Sequence, residues 1–131
     1  MLVQVRPVND PVVEQVFHAA IEKDASDFGD SGTYDYVNDF DALTGKKLVE
    51  YVYRRFPHGP KEPVSIMQFD REKGHLRRLD KFQWVKDDDG KFQWIRVTED
   101  YDSKGQSVNV KTSRYGRLPS GGGNGWITKV E

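Results

Sequence analysis

The segment that decides the fold spans residues 81–86, with the sequence KFQWVK, and it returns almost unchanged as KFQWIR over residues 91–96. Only Asp-Asp-Asp-Gly, residues 87–90, separates the two copies. Two strand-like segments on either side of a short turn that ends in glycine predict a β-hairpin. The hairpin carries two of the three Trp residues in the chain, so it is the densest aromatic feature of the sequence.

Two registers of this hairpin are open from the sequence. With a type I turn and a G1 bulge at Gly90, Trp84 lies opposite Trp94. With a four-residue loop, Lys86 would pair with Lys91, and the two indoles would point to opposite faces. We favour the first register, because it gives glycine the position that needs a positive φ and keeps two like charges apart.

The favoured register places four aromatic rings on one face of the hairpin and aliphatic side chains on the other. Two interpretations follow: the aromatic face packs in the core, or it forms an open platform for a partner. Trp and Arg are typical hot-spot residues of binding interfaces. The platform interpretation predicts a set of six partner contacts, which are Phe82, Trp84, Lys86, Phe92, Trp94 and Arg96.

Outward from the hairpin, a period of two continues along the C-terminal half of the chain. It predicts strands over residues 64–69, 75–86, 91–99, 106–112 and 126–130, with a bulge where the alternation slips between Leu76 and Leu79. A flexible glycine-rich loop is expected over residues 120–125. These segments together predict an antiparallel meander.

The N-terminal half predicts helices in addition to a short edge strand over residues 2–5. Asp10 and Pro11 are typical of a helix start, and that helix should end near residue 24. The second helix would carry an ion pair between Glu50 and Arg54, four residues apart. Its apolar stripe consists of Leu48, Val49, Val52 and Phe56. The predicted fold class is α+β: two helices packed on one face of an antiparallel meander sheet of about four to six strands.

The length and the charge distribution of the chain indicate how it is organised. Its 131 residues predict one domain, residues 1–131, with a long acidic loop at about residues 24–41. Residues 1–45 carry a net charge of −7 and residues 46–86 a net charge of +6. Either the two blocks neutralise each other, or they mark surfaces for partners. The loop gives a second candidate patch of Asp27, Asp30, Tyr34 and Tyr36, and the basic block gives candidate anion contacts at Arg71, Lys73, His75, Arg77 and Arg78.

Several chemistries have little support in the sequence. The chain has no Cys, which excludes disulfides and thiolate catalysis, and no motif assembles a catalytic set, so we predict no catalytic residues, cofactor or metal site. An enzyme that uses His18 or His75 is the third choice.

No apolar stretch is long enough for a membrane span, and no secretory signal is visible, so we expect no membrane partner and a cytoplasmic location.

The leading functional expectation is a non-catalytic binding module of the inhibitor, accessory or assembly type, which acts through contact with another protein. The alternative is single-stranded nucleic-acid binding, because basic side chains next to aromatic rings suit phosphates and stacked bases. A homo-oligomer is compatible with both functions.

Overall fold

The computed structural model describes residues 2–10, 33–55, 62–117, 121 and 124–128. These residues form one sheet of eight strands, which follow one another in chain order. The strands are β1 (Leu2–Val8), β2 (Thr33–Asp41), β3 (Lys47–Arg55), β4 (Glu62–Phe69), β5 (Leu76–Lys86), β6 (Phe92–Tyr101), β7 (Ser107–Arg117) and β8 (Asn124–Thr128). β1 pairs with β2 in parallel, and each later neighbouring pair is antiparallel.

The predicted α+β class, with two helices on one face of the sheet, is wrong, because the described ranges contain strands and no helix. The second predicted helix is β3, in which Val49, Tyr51 and Tyr53 alternate with smaller or charged side chains. β-Branched and aromatic residues favour such a pleated, half-buried surface. Glu50 pairs with Lys47 at 3.1 Å, and the expected helical pair with Arg54 is not formed. The first predicted helix, residues 11–24, and Phe56 lie outside the described residues.

Part of the predicted acidic loop is also a strand. Residues 33–41 form β2, and its carboxylates at Asp35 and Asp39 are buried instead of solvated. Arg6 donates two hydrogen bonds to Asp39, at 2.7 and 3.2 Å, and Arg55 approaches Asp35 at 3.5 Å. These ion pairs offset the cost of removing the carboxylates from water. Asp27 and Asp30 lie outside the described residues.

The C-terminal meander confirms the predicted strands within a few residues at their ends, except that residues 129 and 130 of the last one lie outside the described residues. β5 has the expected irregularity, since Phe69 pairs with Leu76 while Gln68 pairs with Arg78. β7 continues to Arg117, beyond the predicted end at residue 112. The last two residues of the predicted glycine-rich loop, 124 and 125, belong to β8.

One face of the sheet carries most of the core, and we call it the inner face. A row of five residues on β2 to β6 defines this face, each paired in register with the next: Val37, Tyr51, Ile66, Asp80 and Thr98. Residues paired in register share a face of a sheet. The buried hydrophobic cluster consists of Val37, Leu48, Val49, Tyr51, Ile66, Phe82 and Trp94.

The inner face is concave between β5 and β8. Neighbouring strands are about 4.8 Å apart, so β5 and β8 of a flat sheet would be separated by about 14 Å. The rings of Phe82 on β5 and Trp126 on β8 are nevertheless only 6.0 Å apart, centroid to centroid. The sheet therefore curls so that the inner sides of these strands approach each other. In the part of the chain that the structure describes, no helix has the length and apolar character needed to cross a membrane.

Candidate functional site: an aromatic cluster with a guanidinium group

The hairpin adopts the register that the sequence favoured. Trp84 lies opposite Trp94 in the β5–β6 ladder. The backbone N–H of Asp87 donates to the carbonyl of Lys91 at 2.7 Å, and that of Gly90 donates to the carbonyl of Asp87 at 3.0 Å. Gly90 has a φ of 80°, as the bulge position requires.

The aromatic side of the hairpin belongs to the inner face. Phe82 and Trp94 are buried, at 8% and 4% exposure, while Trp84 and Phe92 are half-buried. The interpretation of four exposed rings is therefore wrong for Phe82 and Trp94, which pack in the core as the other interpretation expected. Partner binding by the six predicted residues remains a prediction.

Two further rings from later strands complete the group. Tyr115 on β7 pairs in register with Trp126 on β8, and their centroids are 5.4 Å apart. Trp94 lies 4.9 Å from Trp84 and 5.8 Å from Phe82. We call these five residues the aromatic cluster: Phe82, Trp84, Trp94, Tyr115 and Trp126.

Arg96 lies at the border of the aromatic cluster. It is half-buried on β6, opposite Phe82 on one side and Ser113 on the other. Its guanidinium carbon is 4.6 Å from the centroid of the Trp126 ring, which is within cation–π range. Burial lowers the pKa of Arg96, nearby Asp80 partly offsets this shift, and the group stays charged at neutral pH.

Arg96 differs from the neighbouring arginine, Arg78, in forming no ion pair with the described residues. Arg78 donates a hydrogen bond to Asp100 at 2.7 Å, and this bond lowers the pKa of Asp100. Asp80 instead accepts a hydrogen bond from the hydroxyl of Thr98. Within the described ranges, Arg96 forms no hydrogen bond or ion pair, and its Nε is buried without an acceptor.

Trp94 supplies a second unsatisfied donor to the same region. Its indole Nε1 is buried, and no acceptor bonds to it among the described residues. Trp94 and Arg96 are two residues apart on β6, so both side chains project from the inner face. Buried donors normally have partners, so these two atoms retain hydrogen-bonding capacity that the described residues do not use.

The remaining predicted contacts of the hairpin form a rim. Lys86 is exposed, and its ammonium lies 5.9 Å from the centroid of Phe92. The rim therefore combines two cations, Lys86 and Arg96, with the half-buried rings of Trp84 and Phe92.

The other candidate patches are described in part, since Asp27 and Asp30 of the second patch lie outside the described residues. Arg71 approaches Asp41 at 3.6 Å and Asp10 at 3.4 Å, so it pairs with acids of the chain, as Arg78 does. Lys73 and Arg77 are exposed, and His75 is half-buried at the start of β5. Tyr34 is exposed and Tyr36 half-buried on β2, on the face opposite Asp35.

Metal ligands are not grouped in the described part of the chain, which has no set of three His, Cys, Asp or Glu side chains that could hold an ion.

A scan against protein-family models, a search of curated proteins and a search of solved structures each found no match. Function is therefore inferred from the geometry of the aromatic cluster and its rim.

Tyr115 and Trp126 were missed as site residues in the sequence. The strand that carries Tyr115 was expected to end three residues earlier, so its ring had no assigned face. The alternation of Ser113 and Tyr115 on β7 is the signal that could have placed it on the inner face.

Proposed function

We propose that this chain is a non-catalytic binding module that contacts another protein through the aromatic cluster and its rim. The observation that carries the proposal is the half-buried guanidinium of Arg96, which rests on Trp126 and forms no hydrogen bond or ion pair with the described residues. A charge held in this way is costly to the free chain unless a partner supplies the missing interactions. Trp, Tyr and Arg are also the residue types enriched at binding hot spots.

The packing beneath the rim supports the proposal. Phe82 and Trp94 are buried and stack on each other at 5.8 Å, so the floor of the site is fixed before a partner arrives. The half-buried rings of Trp84 and Phe92 stand above that floor and remain accessible in part. A preorganised surface loses less conformational entropy on binding than a mobile one.

Protein binding is favoured over single-stranded nucleic-acid binding by the burial of two rings. Bases stack on the open faces of aromatic side chains, and each stacked base needs one accessible ring. Phe82 and Trp94 are 8% and 4% exposed, so they offer no such platform. Binding to nucleic acid through Trp84 and Phe92 remains the alternative to be tested.

Photo-crosslinking in the source cells tests the proposal. A benzophenone-bearing phenylalanine analogue replaces Phe92 in the rim, and the matched control places it at Val110, an exposed residue of β7 that is opposite Glu99 on the other face of the sheet. We expect an adduct from position 92 that protease removes and nuclease leaves intact. The adduct should be weaker from position 110, and it should be reduced when the position-92 probe is combined with Arg96→Gln.

The choice of Arg96 for the second variant follows from its half-buried position. Trp94→Ala would remove a core side chain, so a loss of binding there could reflect unfolding. A nuclease-sensitive adduct would support the nucleic-acid alternative. Equal adducts from positions 92 and 110, or no adduct from position 92, would refute a protein contact at this site.

A further inference from the structure

We propose that Arg96 and Trp94 together bind a carboxylate group of the partner, an inference that rests on the proposed protein contact. The carboxylate is that of an acidic side chain or a chain terminus. Arg96 supplies the charge, and the buried indole N–H of Trp94 supplies a further donor.

The guanidinium of Arg96 has the donor geometry for this ligand. Nε–H and one Nη–H form a planar fork that matches the two oxygens of a carboxylate. In the described ranges nothing accepts from Nε of Arg96. The guanidinium carbon is 4.6 Å from the centroid of Trp126, so a ligand would have to approach from a side that the ring does not cover.

Trp94 and Arg96 are on the same side of β6. Residues two apart on a strand project in the same direction, with Cα atoms about 7 Å apart. Trp94 is 96% buried, given its exposure of 4%, and its Nε1 has no acceptor in the part of the chain that the structure describes. An anion held by Arg96 at the edge of the cluster would provide an acceptor for this N–H.

The charges around Arg96 favour a carboxylate over a phosphate. Arg78 is paired with Asp100 at 2.7 Å, whereas Arg96 forms no ion pair within the described residues. Asp80 lies close enough to affect the titration of Arg96. Because Asp80 already contributes negative charge, a monoanion is repelled less at this position than a dianion would be.

The walls of the site strengthen such a pair. Phe82 contacts Trp126 at 6.0 Å, and both rings adjoin Arg96. Apolar walls exclude water and lower the local dielectric, and a charge-assisted hydrogen bond is stronger there than at an open surface.

Benzoate provides a probe for the site, with benzamide as its uncharged isostere. The chain has three Trp residues, and their indole N–H resonances can be assigned from single Trp→Phe variants and followed by ¹H–¹⁵N NMR. At constant ionic strength, we expect benzoate to shift the Trp94 resonance saturably and benzamide to leave it in place. Arg96→Lys, which lacks the fork, should weaken benzoate binding about tenfold or more, and Arg96→Gln should abolish the shift.

Arg114→Gln is the matched control, because Arg114 is an exposed cation on β7, opposite Ile95 and on the other face of the sheet. It should retain the wild-type response to benzoate. An unmoved Trp94 resonance at roughly 100 mM benzoate, well above a millimolar Kd, would overturn the inference. So would an equal response in Arg96→Gln, or phenyl phosphate binding as tightly as benzoate.

A negative result in the benzoate experiment and a negative result in the crosslinking experiment have different consequences. Crosslinks from position 92 without a benzoate response would leave the protein contact standing and remove the carboxylate assignment. A benzoate response without protein crosslinks would keep the carboxylate site and remove the proposed partner class.

Discussion

Arg96 combines features that favour binding and disfavour the stability of the free chain. Its guanidinium is half-buried, and no carboxylate pairs with it among the described residues. Replacing a buried charge by an apolar side chain of similar volume is often neutral or stabilising. Arg96 should therefore be replaceable without harm to the fold.

The variant Arg96→Met tests this expectation. Its free energy of unfolding should be unchanged or raised by up to roughly 1 kcal/mol, because the loss of a charge offsets the loss of the cation–π contact. Urea denaturation followed by circular dichroism measures it. Arg78→Met is the comparison, and it should lower stability by up to about 1 kcal/mol because it leaves Asp100 unpaired. A larger loss for Arg96→Met than for Arg78→Met would contradict this view of Arg96.

Asp100 links the stability of the inner face to pH. The hydrogen bond from Arg78 lowers the pKa of Asp100 from its ordinary value of 3.8. A carboxylate with a lowered folded-state pKa stabilises the fold above its unfolded-state pKa, and this contribution is lost as the pH falls through the folded value. The free energy of unfolding should therefore decrease below about pH 4.

Asp100→Asn should show a shallower decrease in the free energy of unfolding over the same acidic range. Protonation of Asp100 causes part of the decrease in the wild type, and Asn cannot be protonated in this range. Denaturation midpoints measured at a series of pH values test this. Asp88→Asn, at an exposed position of the hairpin turn, is the control and should keep the wild-type slope. If Asp100→Asn retained the wild-type slope as well, the pairing of Asp100 with Arg78 would not contribute to acid sensitivity.

At the scale of elements, the β5–β6 hairpin was the part of the fold most open to prediction from sequence. The duplicated KFQW segments fixed two strands, and Gly90 fixed the turn between them. Glycine at a φ of 80° avoids the clash that a Cβ atom makes with the backbone in this region. The register follows from that local requirement without any tertiary information.

Gly90→Ala should lower the free energy of unfolding by about 1–2 kcal/mol through backbone strain. The added Cβ would be 3.7 Å from Lys86, an ordinary contact, so crowding adds little to the cost. Gly90→Asn should lose less, because Asn tolerates a positive φ. Thermal or urea unfolding of the two variants measures the difference, and equal losses would argue against strain as the cause.

The N-terminal strands could not be predicted because their patterns fit two structures. In β3, the apolar positions of residues 48, 49 and 52 match a helix period, while 49, 51 and 53 match a strand period. In β2, Asp35 and Asp39 occupy inward positions, so the alternation looked polar and loop-like. Only their pairing with arginines from β1 and β3, which depends on the tertiary fold, makes these inward carboxylates tolerable.

The candidate site could be predicted only in part, because some of its residues come together only in the tertiary fold. Local sequence placed Trp84, Trp94 and Arg96 on one side of a hairpin, which the register confirms. The contribution of Tyr115 and Trp126 depends on β7 and β8 following β6 in the sheet. Strand order and curvature are properties of the whole chain, and they decide which of the hairpin rings are covered.

At the scale of the molecule, some charges of the acidic and basic blocks pair with each other within the fold. Asp35 of the acidic block approaches Arg55 of the basic block, and Asp41 approaches Arg71 in the same way. These pairs meet in part, among the described residues, the expectation that the two blocks neutralise each other. The division is therefore weaker evidence for a charged partner than the sequence indicated, and Arg96 lies outside both blocks.

One curved sheet brings β5, β6 and β8 together around Arg96. The most direct test is the nuclear Overhauser effect between the ring protons of Phe82 and Trp126 in the free protein, where the centroids are 6.0 Å apart. The contact of Trp84 with Trp94, at 4.9 Å, serves as the internal reference, since it depends on the hairpin alone. A cross-peak for both pairs is the predicted result. A cross-peak for Trp84 and Trp94 without one for Phe82 and Trp126 would contradict the curved inner face and the site built on it.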